Sequence, residues 1–172
     1  MNTIDAFAND VLLQLEYLKK FKPQKMAKNT IFVGSGDSLC AAMLAEAFSN
    51  YNSMACDPLE LATNKAIARK KHAYFVSISG NTISNVNAAK KIPHKTAITK
   101  NHTGKLAKTC KNVIFLDYSD SRVLTSGSIG FLASALTCIS LVHDFKIKNP
   151  KKIFNLAKVA SQKIILKNQV YI

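Results

Sequence analysis

Ala73-Tyr74-Phe75-Val76-Ser77-Ile78-Ser79-Gly80-Asn81-Thr82, followed by Ile83-Ser84-Asn85-Val86-Asn87-Ala88-Ala89-Lys90-Lys91, decides the fold. Its first half is apolar, aromatic and β-branched, which predicts a buried strand. Its second half repeats apolar residues at helical spacing. The turn between them, Ser-x-Ser-Gly-Asn-Thr, sets three hydroxyls, an amide and a glycine at the open amino end of a helix. That end has unpaired N–H groups and the positive end of the macrodipole, so it favours an anion. Gly80 lets backbone approach a ligand closely. No acid in the loop repels a phosphate. The competing reading is that Ser and Thr only cap the helix.

Upstream, apolar residues at Ile4, Phe7, Ala8, Val11, Leu12, Leu15 and Leu18 predict an amphipathic helix from Ile4 to Phe21, in a region ended by Pro23. Ile31–Val33 reads as a short buried strand, and Gly34-Ser35-Gly36-Asp37-Ser38 as a tight turn. Leu39–Phe48, rich in Ala, Leu and Met, is a strong helix. Ser53–Cys56 is a second short strand, and Asp57-Pro58 opens a loop or short helix reaching Asn64. Downstream come a strand at Lys95–Thr99, a small helix at Thr103–Thr109 and a strand at Val113–Leu116. A long apolar helix follows at Thr125–Val142, where Gly127, Gly130, Ala133 and Ala135 predict close packing. Pro150 opens a last helix, Ile153–Leu166, and Val170-Tyr171-Ile172 reads as the beginning of a strand.

Strand and helix alternate throughout, the pattern of an α/β three-layer αβα fold with a parallel sheet. Ligands in such sheets bind at the carboxyl ends of strands, near a topological switch point. The glycine-serine turns after the first and third strands both belong to that edge. The first turn has a rival reading. Gly34-x-Gly36 resembles the start of a dinucleotide fingerprint, with Asp57 where a ribose-binding acid would sit, but Leu39 occupies the third glycine position.

A chain of 172 residues is one ordinary domain able to bury a sizeable core. No apolar run approaches the roughly 18 residues that span a bilayer, and no basic start precedes an apolar run. Cys40, Cys56, Cys110 and Cys138 lack metal-ligand spacing and read as buried thiols in a reducing cytoplasm, so no metal or cofactor is expected. The net charge of +14 raises nucleic-acid binding. Yet the lysines are dispersed in pairs, Lys19 and Lys20, Lys70 and Lys71, Lys90 and Lys91, Lys151 and Lys152, mostly near helix ends where cations suit the dipole. A solvated lysine-rich surface that gathers anionic metabolites fits better.

Gly34-Ser35-Gly36-Asp37-Ser38 followed by Ala41, with Ser77-x-Ser79-Gly80-Asn81-Thr82, resembles the sugar isomerase (SIS) domain family over roughly residues 29–145. That family includes the isomerase half of glucosamine-6-phosphate synthase, phosphoheptose isomerase, hexulose-6-phosphate isomerase and the archaeal phosphoglucose/phosphomannose isomerases. The resemblance implies a flavodoxin-like sheet of five parallel strands and a phosphosugar site. By similarity, Ser38, Ser77, Ser79 and Thr82 hold the phosphate, with Asn81 in the same loop, and Gly36 and Gly80 let backbone amides close on it. The start of the helix after the fifth strand, Leu124-Thr125-Ser126-Gly127-Ser128, would bring Ser126 to the sugar hydroxyls. Ser128 replaces the lysine of the synthase-like pattern there.

Aldose–ketose isomerisation also needs a base to move a proton between C1 and C2. Glu60 lies where the family has Glu-x-Ala-Ser-Glu-Phe, with Asn64 in place of the second glutamate. Glu46 reads as a solvated helix residue, Asp37 is poorly placed in a phosphate turn, and Asp117 and Asp120 read as turn caps. His143, at the end of an apolar helix, is the other candidate. The catalytic residues therefore stay unassigned.

The resemblance also divides the chain into an N-terminal helix (1–28), the phosphosugar domain (29–149), and a C-terminal linker helix (150–172) leading into the first strand of a possible second SIS domain. A frayed C-terminal tail is the competing reading of those last residues. Two functions are expected: part of a phosphosugar isomerase, acting as a homodimer or with a second domain, or a non-catalytic phosphosugar-sensing module. With about 30 residues before the first strand, the chain leaves little room for a helix-turn-helix regulator module.

Overall fold

Side chains alternate across each central strand, and each set meets helices. Phe32, Tyr74, Val76 and Ile98 enter one core cluster, while Ile31, Val33, Ala73, Phe75 and Ala97 enter another. Strands buried on both faces lack the apolar–polar alternation of a one-sided sheet, which is why they read as continuous apolar runs. The computed structural model describes residues 2–123 and 127–167. Its strands are β1 (Thr30–Val33), β2 (Met54–Cys56), β3 (His72–Val76), β4 (Lys95–Thr99) and β5 (Asn112–Phe115). They form one parallel sheet in the order β2-β1-β3-β4-β5. This is the flavodoxin-like order, not that of the two-halved dinucleotide fold.

The helices are α1 (Thr3–Lys20), α2 (Asp37–Phe48), α3 (Pro58–Thr63), α4 (Ile83–Lys91), α5 (Lys105–Thr109), α6 (Ile129–Ser140) and α7 (Pro150–Lys167). Residues of α1, α2 and α6 join the first cluster. Residues of α3, α4 and α5 join the second. Three layers result, as expected. A 3-10 turn at Lys65–Ala68, which the sequence did not announce, links α3 to β3. Helix α2 begins at Asp37 rather than Leu39, so the glycine turn runs directly into it. Helix α6 ends at Ser140, short of Val142. Thr125 and Ser126 at its expected start, and the strand expected at Val170–Ile172, lie outside the described residues.

The small residues of α6 are used inside the domain. Helices α2 and α6 pack against each other, and Ala133 of α6 shares one core cluster with Ala41, Ala42 and Ala45 of α2, all without solvent exposure. That face is therefore closed to a partner copy, whereas α1 leaves Ile4 and Leu12 largely exposed. Glu46 is no idle surface residue. Its Oε1 accepts from the Ala55 N–H at 3.2 Å, satisfying a donor on edge strand β2. Cys40 is exposed, contrary to expectation, while Cys56, Cys110 and Cys138 are buried thiols.

Helix α1 is tied down by a polar knot. The buried Asp10 accepts from the Ser121 N–H at 2.7 Å. Ser121 Oγ donates to the Ala6 carbonyl at 3.1 Å and receives the Asn9 amide at 2.8 Å. Removing Asp10 strands a polar N–H. Asp10→Ala should therefore cost about 1–3 kcal/mol in urea denaturation, with Asp10→Asn recovering part of it. By contrast, Phe32→Ala opens a cavity against Tyr74, whose ring centroid is 5.3 Å away, and should cost about 3–5 kcal/mol in the same measurement.

Candidate functional site: the loops after β1 and β3

Strand order reverses between β1 and β3, so α2 and α4 leave the sheet on opposite faces from adjacent strands. Val33 and Phe75 are partners in the ladder. The turns that follow them thus begin about 4.8 Å apart. Gly36 is the N-cap of α2, at φ 56° and ψ −130°, a conformation that suits glycine. A Cβ there would meet nothing within 4 Å, so the backbone and not crowding demands glycine. No side chain caps α2. Ser38 lies in its first turn.

The second loop is built from the Ser-x-Ser-Gly-Asn-Thr residues themselves. Thr82 is the N-cap of α4 but makes no side-chain capping bond. Its Oγ1 lies 3.0 Å from Ser77 Oγ instead. The competing reading, in which these hydroxyls merely cap the helix, does not describe the loop. Gly80 has φ +63°, and a Cβ there would lie 2.9 Å from Thr99 Oγ1. Its N–H is used in the turn, donating to the Ser77 carbonyl at 3.0 Å. Gly80 is therefore required by the turn and by its packing on the β4–α5 loop, and its own amide is not open to a ligand. Asn81 has a structural task as well. Its Oδ1 accepts from the Lys105 N–H at 3.1 Å, at the start of α5. Ser79 is exposed, with its Oγ accepting from the Asn81 N–H at 3.3 Å. Asn101 Nδ2 donates to the Ser79 carbonyl at 2.9 Å and steadies the loop from β4.

Sequence reasoning missed Asn85. It is 1% exposed, and its Nδ2 donates to the carbonyl of Val76, the last residue of β3, at 2.8 Å. That bond fixes α4 to the strand directly under the loop. A buried amide in an otherwise apolar helix face was the available signal.

The acid–base candidates separate. Glu60, on α3 at the carboxyl end of β2, shares the edge of the two loops, and its Oε2 is 3.6 Å from Cys56 Sγ. Burial first, and then the Glu60 carboxylate, push the Cys56 thiol up to about 12. It is thus held as a protonated thiol. His143 packs on Phe48, with ring centroids 5.6 Å apart. Phe48 ends α2 while the glycine turn begins it, a separation of roughly 18 Å for a helix of that length. His143 therefore has no place in the site. Asp57 accepts from the Leu59 N–H at 2.8 Å and caps α3, a use that replaces the ribose-binding role of the dinucleotide reading. Asp120 pairs with Lys100 at 2.5 Å and accepts from the Arg122 N–H at 3.2 Å, the expected turn role. Ser126 lies outside the described residues. His72 and His94 stand at the amino edge, away from the loops, whereas His102 lies in the β4–α5 loop beside Asn101. His72 opens β3 at the opposite edge, beside Thr96 Oγ1 at 2.8 Å, and His102 stacks on Phe115. Burial and the nearby His94 hold the His72 ring below the usual histidine range.

No protein-family model and no curated protein sequence matches the chain. Solved structures do. The E. coli CFT073 protein c3406, in complex with arabinose-5-phosphate, is 18% identical, with a TM-score of 0.62 over 92% of this chain and 94% of that one. Glucosamine-6-phosphate deaminase from Thermotoga maritima is 19% identical, with a TM-score of 0.61 over 97% of this chain and 57% of that one. Tagatose-6-phosphate ketose/aldose isomerase from Escherichia coli is 20% identical, with a TM-score of 0.55 over 94% and 48%. The chain thus spans nearly all of the first protein and about half of the other two. Together with the strand order, these matches show that the chain has the fold of the phosphosugar isomerase (SIS) domains.

Proposed function

We propose that the chain is a phosphosugar-binding SIS domain whose phosphate sits between the loops after β1 and β3, as part of an aldose–ketose phosphosugar isomerase. One observation carries the reading. Two helix N-termini, α2 and α4, open on one edge of adjacent strands with no side chain capping either. Both ends turn a positive dipole end to an anion, but their free N–H groups differ: at α2 the Ser38 and Leu39 N–H groups donate to the Ser35 and Gly36 carbonyls, which leaves those of Gly36 and Asp37, while at α4 those of Thr82, Ile83 and Ser84 are open. Ser38, Ser77, Ser79 and Thr82 add neutral donors that can reorient toward phosphate oxygens. The complex of c3406 with arabinose-5-phosphate supports a sugar phosphate as the ligand class.

Phosphate binding at this edge would hold the sugar against the loops after β2 and β5. Glu60 is the carboxylate best placed there to take a proton from C1 or C2. The remaining catalytic groups would come from a second SIS domain or a partner copy. The non-catalytic sensing module shares the same phosphate site and differs only in lacking proton transfer.

Calorimetry against fructose-6-phosphate, glucose-6-phosphate, glucosamine-6-phosphate, arabinose-5-phosphate and NAD tests the reading. A sugar phosphate should bind and NAD should not. Ser79→Ala with Thr82→Ala should weaken that binding by roughly 3 kcal/mol, on the order of a hundredfold in Kd, because hydrogen bonds to a charged group contribute about 1.5–3 kcal/mol each. Unchanged affinity in the double variant removes the loop from the site, and binding of NAD alone overturns the phosphosugar reading.

A further inference from the structure

Two of the four lysine pairs that looked dispersed in the sequence come to one edge of the fold. Lys70 and Lys71 precede β3, and Lys90 and Lys91 end α4 just before β4. Strands β3 and β4 are parallel neighbours, so both pairs come to the amino edge of the sheet. There a cavity of about 370 Å³ is lined by Lys65, Arg69, Lys70, Lys71, Lys91 and His94, together with apolar residues and no acid. Two of the ammonium groups are oriented by main-chain carbonyls. Lys71 Nζ donates to Ile67 O at 3.4 Å, and Lys91 Nζ donates to Ala62 O at 3.2 Å. Lys70 turns the chain into β3 at φ +62°, a left-handed conformation uncommon for lysine. Both ion pairs among the described residues lie elsewhere, at Lys19 with Glu16 and at Lys100 with Asp120.

Five cations around one concavity repel each other, and an anion placed among them is attracted by all. We infer that this cavity is a second anion site, separate from the phosphosugar loops, for a ligand carrying two or more adjacent phosphate groups. The volume falls within the range of small-ligand pockets, roughly 300–1,000 Å³. It is a local hollow, not a basic stripe of the kind that tracks a nucleic-acid backbone. The five residues of β3 put it about 16 Å from the Ser77–Thr82 loop. The two sites can therefore be separated by mutation.

Inorganic pyrophosphate is the probe, with orthophosphate for comparison, measured by calorimetry and thermal shift at low salt. Pyrophosphate should bind at least about tenfold more tightly than orthophosphate, with affinity falling as salt rises. Arg69→Gln with Lys91→Gln should weaken it about tenfold or more. Lys70→Asn, which suits the left-handed backbone, should weaken it less while leaving the fold intact. Ser79→Ala with Thr82→Ala should leave pyrophosphate binding unchanged, so failure of this site and failure of the phosphosugar reading register separately. The inference is overturned by any of three results: no pyrophosphate binding, binding that survives the Arg69 and Lys91 changes, or binding that disappears with the loop variant. Tight binding of a single-stranded oligonucleotide without pyrophosphate binding would overturn it in favour of a nucleic-acid surface.

Discussion

Everything at the carboxyl edge depends on how β1 and β3 pair. They lie side by side and parallel, yet their following helices belong to opposite layers. Two chains leaving neighbouring strands in opposite directions open a crevice between them, and two helix N-termini face into it. The dense apolar packing of Phe32, Tyr74, Phe75 and Val33 fixes the strand ends. The Val76 carbonyl's bond from Asn85 and the Ser79 carbonyl's bond from Asn101 then fix the loop on top of them. The proposed site thus follows from sheet topology first and from particular hydroxyls second.

Charge is arranged against the simplest expectation. The chain has 24 basic and 10 acidic side chains. Yet Asp37, Asp57, Glu60, Asp117 and Asp120 all follow strands at the carboxyl edge, while the basic cavity lies at the amino edge. The anion site proposed between the β1 and β3 loops therefore does not rest on net positive charge. It rests on the backbone, on N–H groups and dipoles that carry no formal charge.

The fold was legible because its signals are local. Apolar runs at Ile31–Val33 and Ala73–Val76, glycine turns after them and helical spacing from Leu39 and Ile83 each reflect a nearby physical cause. The loop residues were legible as types, and Ser77 with Thr82 do meet. Their partners were not. That Asn81 serves α5 and that Glu46 covers an edge strand depend on contacts between elements, and that the Gly80 amide is consumed by its own turn depends on a turn geometry the residue types leave open. His143 looked available because sequence gives no sense of which end of the sheet a helix end reaches. The meeting of Lys70, Lys71 and Lys91 escaped for the same reason: spacing along the chain hides pairs that adjacent parallel strands bring together.

Amide chemical shifts on titration with a sugar phosphate test the central claim most directly, since they report position and binding at once. The account predicts that the amides of Gly36 and Asp37 at the start of α2 and of Thr82, Ile83 and Ser84 at the start of α4 move first and furthest, with the Lys65–Lys71 edge still. Shifts confined to the amino edge, or an α4 amino end untouched at saturating ligand, would contradict it.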